Sequence, residues 1–191
     1  MPVFRTVKDA RSGSIRLEAI HQPLYDSVVV TTSVINQLFS QGSNNRTPLQ
    51  TNLQTAGQLS WPKRFSIRAI RQVLGYAVAA AQGDLSNFMQ RTFYRVIVGE
   101  KTYLTIPAFI LTAGTGQEVQ YLVPATAASP GTTTAQMGWP EQRNIFSLLH
   151  SIYIPPVQNF YVEQNITTGL TITAGLTVHV FLEGELLREI Q

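Results

Sequence analysis

The side chains best suited to catalysis or metal binding are scattered along this sequence. The chain has three isolated histidines, His21, His150 and His179, and no cysteine. The closest approach to a ligand pair is His179 with Glu183, but residues four apart on a strand lie about 13 Å from each other. One ion could not be held by both without help from other strands. The spacing therefore predicts no metal site, and the lack of cysteine excludes disulfides, zinc knuckles and thiol catalysis.

The carboxylates and glycines give no stronger catalytic signal. Glu183, Glu185 and Glu189 alternate near the end of the sequence. Paired carboxylates serve glycoside hydrolysis, but a charged face on a terminal strand is more often solvated. Gly114-Thr-Gly116 lacks the lysine and helix that follow a phosphate-binding loop. We therefore expect no enzyme activity, no cofactor and no small-molecule substrate.

Composition favours a protein that packs against neighbours. Of 191 residues, 44% are hydrophobic and only 13% are charged, about half the usual charged fraction of about 25%. Nine basic and three acidic residues lie in 1–71, whereas five basic and eight acidic residues lie in 72–191. This asymmetry is most simply that of a solvated N-terminal arm. The alternatives are a basic face turned toward nucleic acid or an anionic membrane surface, and basic and acidic edges that meet between copies. No apolar run approaches the length of a membrane span.

The spacing of apolar residues predicts strands. Period-2 alternation in three segments points six side chains inward: Phe65, Ile67, Phe160, Val162, Val178 and Val180. Short strands about every ten residues, separated by turn residues, are typical of an all-β sandwich or barrel. We expect residues 61–191 to form one domain. Residues 1–60 are predicted to be an N-terminal arm with the first strand or strands, packed less tightly and partly against a neighbour.

Three segments carry more detailed predictions. Leu24–Leu38 is predicted to be a strand followed by a short helix, and Phe88–Val98 a strand. Thr102–Leu111 contains Pro107, which predicts an edge or bent strand. Residues 113–140 are predicted to be a long, weakly charged loop that the barrel or an adjacent subunit covers.

A set of short motifs runs in order from residue 51 to the end of the sequence. They are TNLQTAGQL (51–59), FSIRAI (65–70), IVGEKTYL (97–104), Pro107, GWP (138–140), NIFSL (144–148), IPPVQNF (154–160) and VHVFLEGELLR (178–188). Together they resemble the small single jelly-roll major capsid proteins of tailless icosahedral bacteriophages with an internal membrane. The resemblance covers roughly residues 50–191.

The resemblance implies an eight-stranded antiparallel jelly-roll β-sandwich or barrel that stands upright on a capsid and has no enzyme activity. It implies a homo-oligomeric capsomer in the virion, with a second capsid protein or an internal lipid membrane as further partners, and no sequence-specific nucleic acid. The residues expected at the assembly interface come from the basic N-terminal segment and the long loop: Arg5, Lys8, Arg11, Arg16, Tyr121, Leu122 and Val123. The alternatives are a receptor- or carbohydrate-binding jelly roll of a spike or penton, and a small β-sandwich enzyme.

Overall fold

A computed structural model describes residues 3–9, 13–41, 46–76, 82–115, 117–121, 133–137 and 141–190. Most of these residues lie in antiparallel strands. The strands are β1 Val3–Asp9, β2 Gly13–His21, β3 Leu24–Thr32, β4 Ile35–Leu38, β5 Arg64–Tyr76, β6 Thr92–Val98, β7 Lys101–Pro107, β8 Gln117–Tyr121, β9 Thr133–Met137, β10 Ser147–Ile154, β11 Phe160–Ile166 and β12 Thr171–Glu189. Helices α1 Gln82–Arg91 and α2 Ala108–Leu111 and a 3-10 turn at Gln142–Asn144 complete the described elements. The predicted all-β class is confirmed.

Two sheets form the body of the protein. The larger has the order β1-β2-β12-β5-β10, and β3 also pairs with β12. The smaller has the order β4-β11-β6-β7, and β8 and β9 form a separate hairpin. The strand β12 holds the larger sheet together, because it pairs with β5 along one edge and with β3 and then β2 along the other. The pairing register is the same on both sides of Gln22-Pro23, so β2 and β3 behave as one strand interrupted by that pair.

The core lies between the two sheets. All six side chains predicted to point inward are buried, with at most 1% of their surface exposed. Burial of aliphatic and aromatic side chains is the main stabilising term for such a sandwich. The alternation in β11, in β12 and in β5 before its bulge therefore indicated the core correctly.

The core also contains a chain of polar side chains that joins the two sheets. The Tyr94 hydroxyl donates to Gln72 Oε1 at 2.7 Å and accepts from Gln164 Nε2 at 2.9 Å. At the ends of the chain, Gln72 Nε2 donates to the Ala108 carbonyl and Asn36 Nδ2 donates to Gln164 Oε1. Gln72, Tyr94 and Gln164 are all buried, so their polar atoms must satisfy one another.

Two predicted elements are wrong. Phe88 is not in a strand: it belongs to α1 and is buried one helical turn from Leu85, so the strand begins only at Thr92. Residues 35–38 are a strand and not a helix, because β4 pairs with β11 from Val162↔Leu38 to Asn165↔Ile35. Tertiary pairing overrides local preference in a segment this short.

The structure also places the predicted arm, the predicted long loop and Pro107. The residues predicted to form an arm supply β1 to β4, and Val30, Leu38 and Phe39 are part of the core. The predicted long loop carries the β8–β9 hairpin. Pro107 ends β7, which is an edge strand of the smaller sheet as expected.

Candidate assembly surfaces

A β-bulge curves the outer face of the larger sheet. Between β5 and β12 the register shifts from Glu183↔Ala69 to Gly184↔Ile67, so Arg68 is the extra residue. Such a bulge bends the strand and increases its twist. Glycine is required at position 184, because a Cβ there would lie 1.9 Å from the Ser66 carbonyl oxygen.

The curved face forms an open groove of about 990 Å³. Its floor contains Arg68 and Ala69, which the bulge turns to the same side of β5. Its walls come from β1 and β2 on one side and from β10 on the other, and they include the exposed side chains of Val3 and Leu149. The groove therefore combines a charged floor with walls that hold both apolar and polar side chains.

An ion-pair network covers the groove floor. Glu185 is bound by Arg5 and Arg68, each at 2.7 Å, and Glu183 is bound by Arg71. His21 Nε2 lies 3.9 Å from Glu183 Oε2. The two glutamates are therefore not the solvated face that the sequence predicted: their carboxylates are occupied by guanidinium groups that tie β1 and β5 to β12.

This network pairs side chains from the two oppositely charged parts of the sequence. Arg5 and Glu185 are 180 residues apart and meet across the sheet. Arg188 and Glu18 form the reverse pair, with the base from the C-terminal part. Three of the nine basic residues in 1–71, Arg5, Arg68 and Arg71, are thus paired with two glutamates from 72–191.

The hairpin of β1 and β2 carries a group of basic side chains at one edge of the larger sheet. Arg5, Lys8 and Arg16, predicted at the interface, lie on this hairpin and are exposed. No ion pair is described for Lys8 or Arg16, and the Arg16 guanidinium stacks 4.6 Å from the centre of the Phe4 ring. Arg11 lies outside the described residues.

The loop residues predicted at the interface are placed only in part. Tyr121 ends β8, and its side chain is not described. Leu122 and Val123 lie outside the described residues. The structure therefore brings together the described basic residues on one hairpin and gives no position for the apolar loop residues.

Large apolar side chains are exposed at many points on the described surface: Val3, Phe4, Val29, Val34, Ile35, Leu49, Trp61, Tyr103, Phe109, Leu149, Tyr153, Val157 and Ile190. Three of them, Val29, Ile35 and Leu49, line a second groove beside β3 and β4. Leu149 is 92% exposed and Leu49 is 84% exposed. Grouped apolar side chains on a surface mark contact sites for other molecules.

A buried aspartate fixes the segment that borders this second groove. Asp26 is 1% exposed and accepts hydrogen bonds from the backbone N–H groups of Ser27 and Phe39 and from Arg46. Burial raises the pKa of Asp26, while these hydrogen bonds and the Arg46 charge oppose the shift. The pairing of Asp26 with Arg46 could not be predicted from the sequence, because an irregular segment separates the two residues.

Residues 50–52 cover the first half of the free edge of β3. Asn52 Oδ1 accepts from the Tyr25 N–H at 3.0 Å, and Asn52 Nδ2 donates to the Pro23 carbonyl at 2.8 Å. The Ser27 hydroxyl donates to the Gln50 carbonyl. This segment of the predicted arm thus covers part of a sheet edge.

Among the described residues, no three His, Asp or Glu side chains come together in a way that could hold a metal ion. No described helix has the length and apolar character needed to cross a membrane. The sequence matches no protein-family model, no curated protein and no solved structure.

Proposed function

We propose that this chain is a structural capsid protein. In this proposal it self-assembles, alone or with a second capsid protein, into the icosahedral shell of a tailless bacteriophage. Its fold is proposed to be an eight-stranded jelly roll with two added hairpins, and its role is structural rather than enzymatic.

Nested strand pairing supports the jelly roll. Leaving out the hairpins β1–β2 and β8–β9, eight strands remain. The first pairs with the eighth (β3 with β12) and the second with the seventh (β4 with β11). The third pairs with the sixth (β5 with β10) and the fourth with the fifth (β6 with β7). A long hairpin rolled into a sandwich produces this order, and it is the order of jelly rolls in viral capsid and lectin domains.

The observation that carries the capsid role is the surface, because a fold alone does not establish a function. The fraction of charged residues in the chain is about half the usual value. Apolar side chains are exposed on both sheets, among them Leu149 on β10, Ile35 on β4 and Tyr103 on β7. A free monomer with this surface would be prone to association. Burial of these side chains between copies would stabilise a shell.

The carbohydrate-binding alternative is less well supported. The groove on the larger sheet is larger than the groove beside β3 and β4, and none of the residues that line it is Phe, Tyr or Trp. Trp61 is 46% exposed and lies elsewhere. Trp139, the other candidate for ring stacking against a sugar, lies outside the described residues.

The proposal is tested with purified full-length protein by negative-stain electron microscopy and multi-angle light scattering over a range of protein concentration and salt. We expect capsomers, lattices or closed particles whose yield rises with concentration. A protein that stays monomeric throughout, and that binds a glycan in an array screen, would favour the spike or penton alternative.

A further inference from the structure

We propose that β1 is an association edge, through which the β1–β2 hairpins of two copies pair, β1 against β1, about a two-fold axis at Thr6. The product is a four-stranded antiparallel sheet that joins two subunits. This inference rests on the proposed self-assembly and names the strand that carries one of its contacts.

The hairpin extends beyond the sheet that supports it. β12 pairs with only part of β2, from His21 to Leu17. The last pair is Glu189 of β12 with Leu17 of β2. The β1–β2 register nevertheless continues to Asp9↔Gly13. Residues 6–9 and 13–16 therefore pair with each other and with no third strand among the described residues. A two-stranded ribbon is marginally stable in water, and three or more strands are needed for independent stability.

The edge strand β1 contains charged residues (Arg5, Lys8 and Asp9) but lacks the interruptions found in β10, β7 and β4. β10 has an irregular register against β5 between Ser147 and Ile152. β7 has a register shift and ends in Pro107, and β4 has only four residues. The first half of β3 is covered by residues 50–52. β1 pairs with β2 in unbroken register over all seven residues and contains no proline, so its outer edge presents a regular row of backbone donors and acceptors.

A second copy is the partner that fits this edge. Two identical antiparallel edges are complementary about a two-fold axis, which is the commonest symmetry of association. Pairing centred on Thr6 uses all seven residues and sets Phe4 opposite the partner's Lys8 and Arg5 opposite the partner's Val7. Like charges directly opposite each other would destabilise the pairing, and this register places none in that position. Each overhanging ribbon gains the two strands it lacks.

The pairing is tested by disulfide trapping, for which the absence of cysteine is an advantage. In the centred register Thr6 faces Thr6 of the partner, and facing residues of antiparallel strands lie within the Cα separation of a disulfide. Thr6 is exposed, so Thr6→Cys should fold. Ser151→Cys, exposed on β10 at the opposite edge of the same sheet, is the matched control. Under mild oxidation we expect covalent Thr6→Cys dimers at least about tenfold faster than control dimers, because pairing raises the effective thiol concentration. Equal rates would overturn the proposal.

A charge-swap experiment identifies the occupant of the edge. Thr6→Lys and Thr6→Glu each place like charges opposite one another at the axis, and each should weaken self-association about fivefold. An equimolar mixture of the two should restore it, as measured by sedimentation velocity. No recovery on mixing would show that something other than β1 of a second copy covers this edge.

The outcome is separable from that of the capsid proposal. Particles that form without Thr6→Cys dimers would reject the β1 interface and leave the capsid role standing. Thr6→Cys dimers without any larger assembly would support the β1 interface and argue against the capsid role.

Discussion

Replacing Tyr94 by phenylalanine removes the central hydroxyl of the buried chain that joins the two sheets. Two groups lose their partner: Gln72 Oε1, which accepts from this hydroxyl, and Gln164 Nε2, which donates to it. Each buried polar group left without a partner costs about 1–3 kcal/mol. The ring stays in place, so no large cavity forms. We expect the unfolding free energy to fall by about 2–4 kcal/mol, allowing for some re-pairing of the two amides.

The assay is urea unfolding followed by far-ultraviolet circular dichroism, at a concentration where the protein is unassembled. For a chain of this length the expected loss corresponds to a melting temperature lower by about 5–15 °C. Tyr161→Phe is the matched control, since Tyr161 lies on the outer face of β11 and is only half-buried. A Tyr94→Phe loss no larger than that of the control would refute the assignment of the buried chain.

The same residue gives an alkaline test. Burial raises the pKa of Tyr94 well above its ordinary value of 10.0, so the unfolded chain loses this proton at a lower pH than the folded chain. The stability that the neutral phenol contributes is full below pH 10.0 and is lost as the pH rises through the folded pKa. The wild type should therefore lose stability above pH 10.0 more steeply than Tyr94→Phe.

Three further results are expected from unfolding measurements. Gly184→Ala should cost about 3 kcal/mol or more, because its Cβ meets the backbone of β5 at 1.9 Å, whereas Gly75→Ala has only ordinary contacts and should cost about 1 kcal/mol or less. Burial lowers the pKa of His179 below 6.5, so stability should be full above pH 6.5 and fall as the pH drops through the lowered pKa; His179→Gln should remove that slope. Arg46→Gln leaves a buried carboxylate without its ion pair and should cost about 2 kcal/mol after allowance for partial exposure. Arg95→Gln, at a more exposed pair, should cost less than about 1 kcal/mol.

The sequence predicted core residues best in strands that have one buried face and one solvent-exposed face. Phe160, Val162, Val178 and Val180 alternate without interruption, and the structure buries all four. Proline and glycine marked the ends of elements equally well: Pro155 follows the end of β10, and Gly99 with a positive φ makes the β6–β7 turn. Local physics decides these features, so a single sequence is enough to predict them.

Features set by distant partners could not be predicted in this way. The alternation in β5 changes phase at the Arg68 bulge, which depends on Gly184 in another strand. The binding of Glu185 by Arg5 depends on a pairing between residues 180 positions apart. Leu85 and Phe88 have the spacing of a helix face, but α1 runs directly into β6. The end of the helix at Arg91 therefore cannot be located from the sequence.

The measurement that tests the account most directly is cryo-electron microscopy of the assembled product of the purified chain. We predict a closed or lattice-like assembly of upright sandwiches in which exposed apolar side chains such as Val29, Ile35 and Leu149 are buried between subunits. A chain that forms no ordered assembly, or an assembly in which these side chains remain exposed to solvent, would contradict the proposed capsid role.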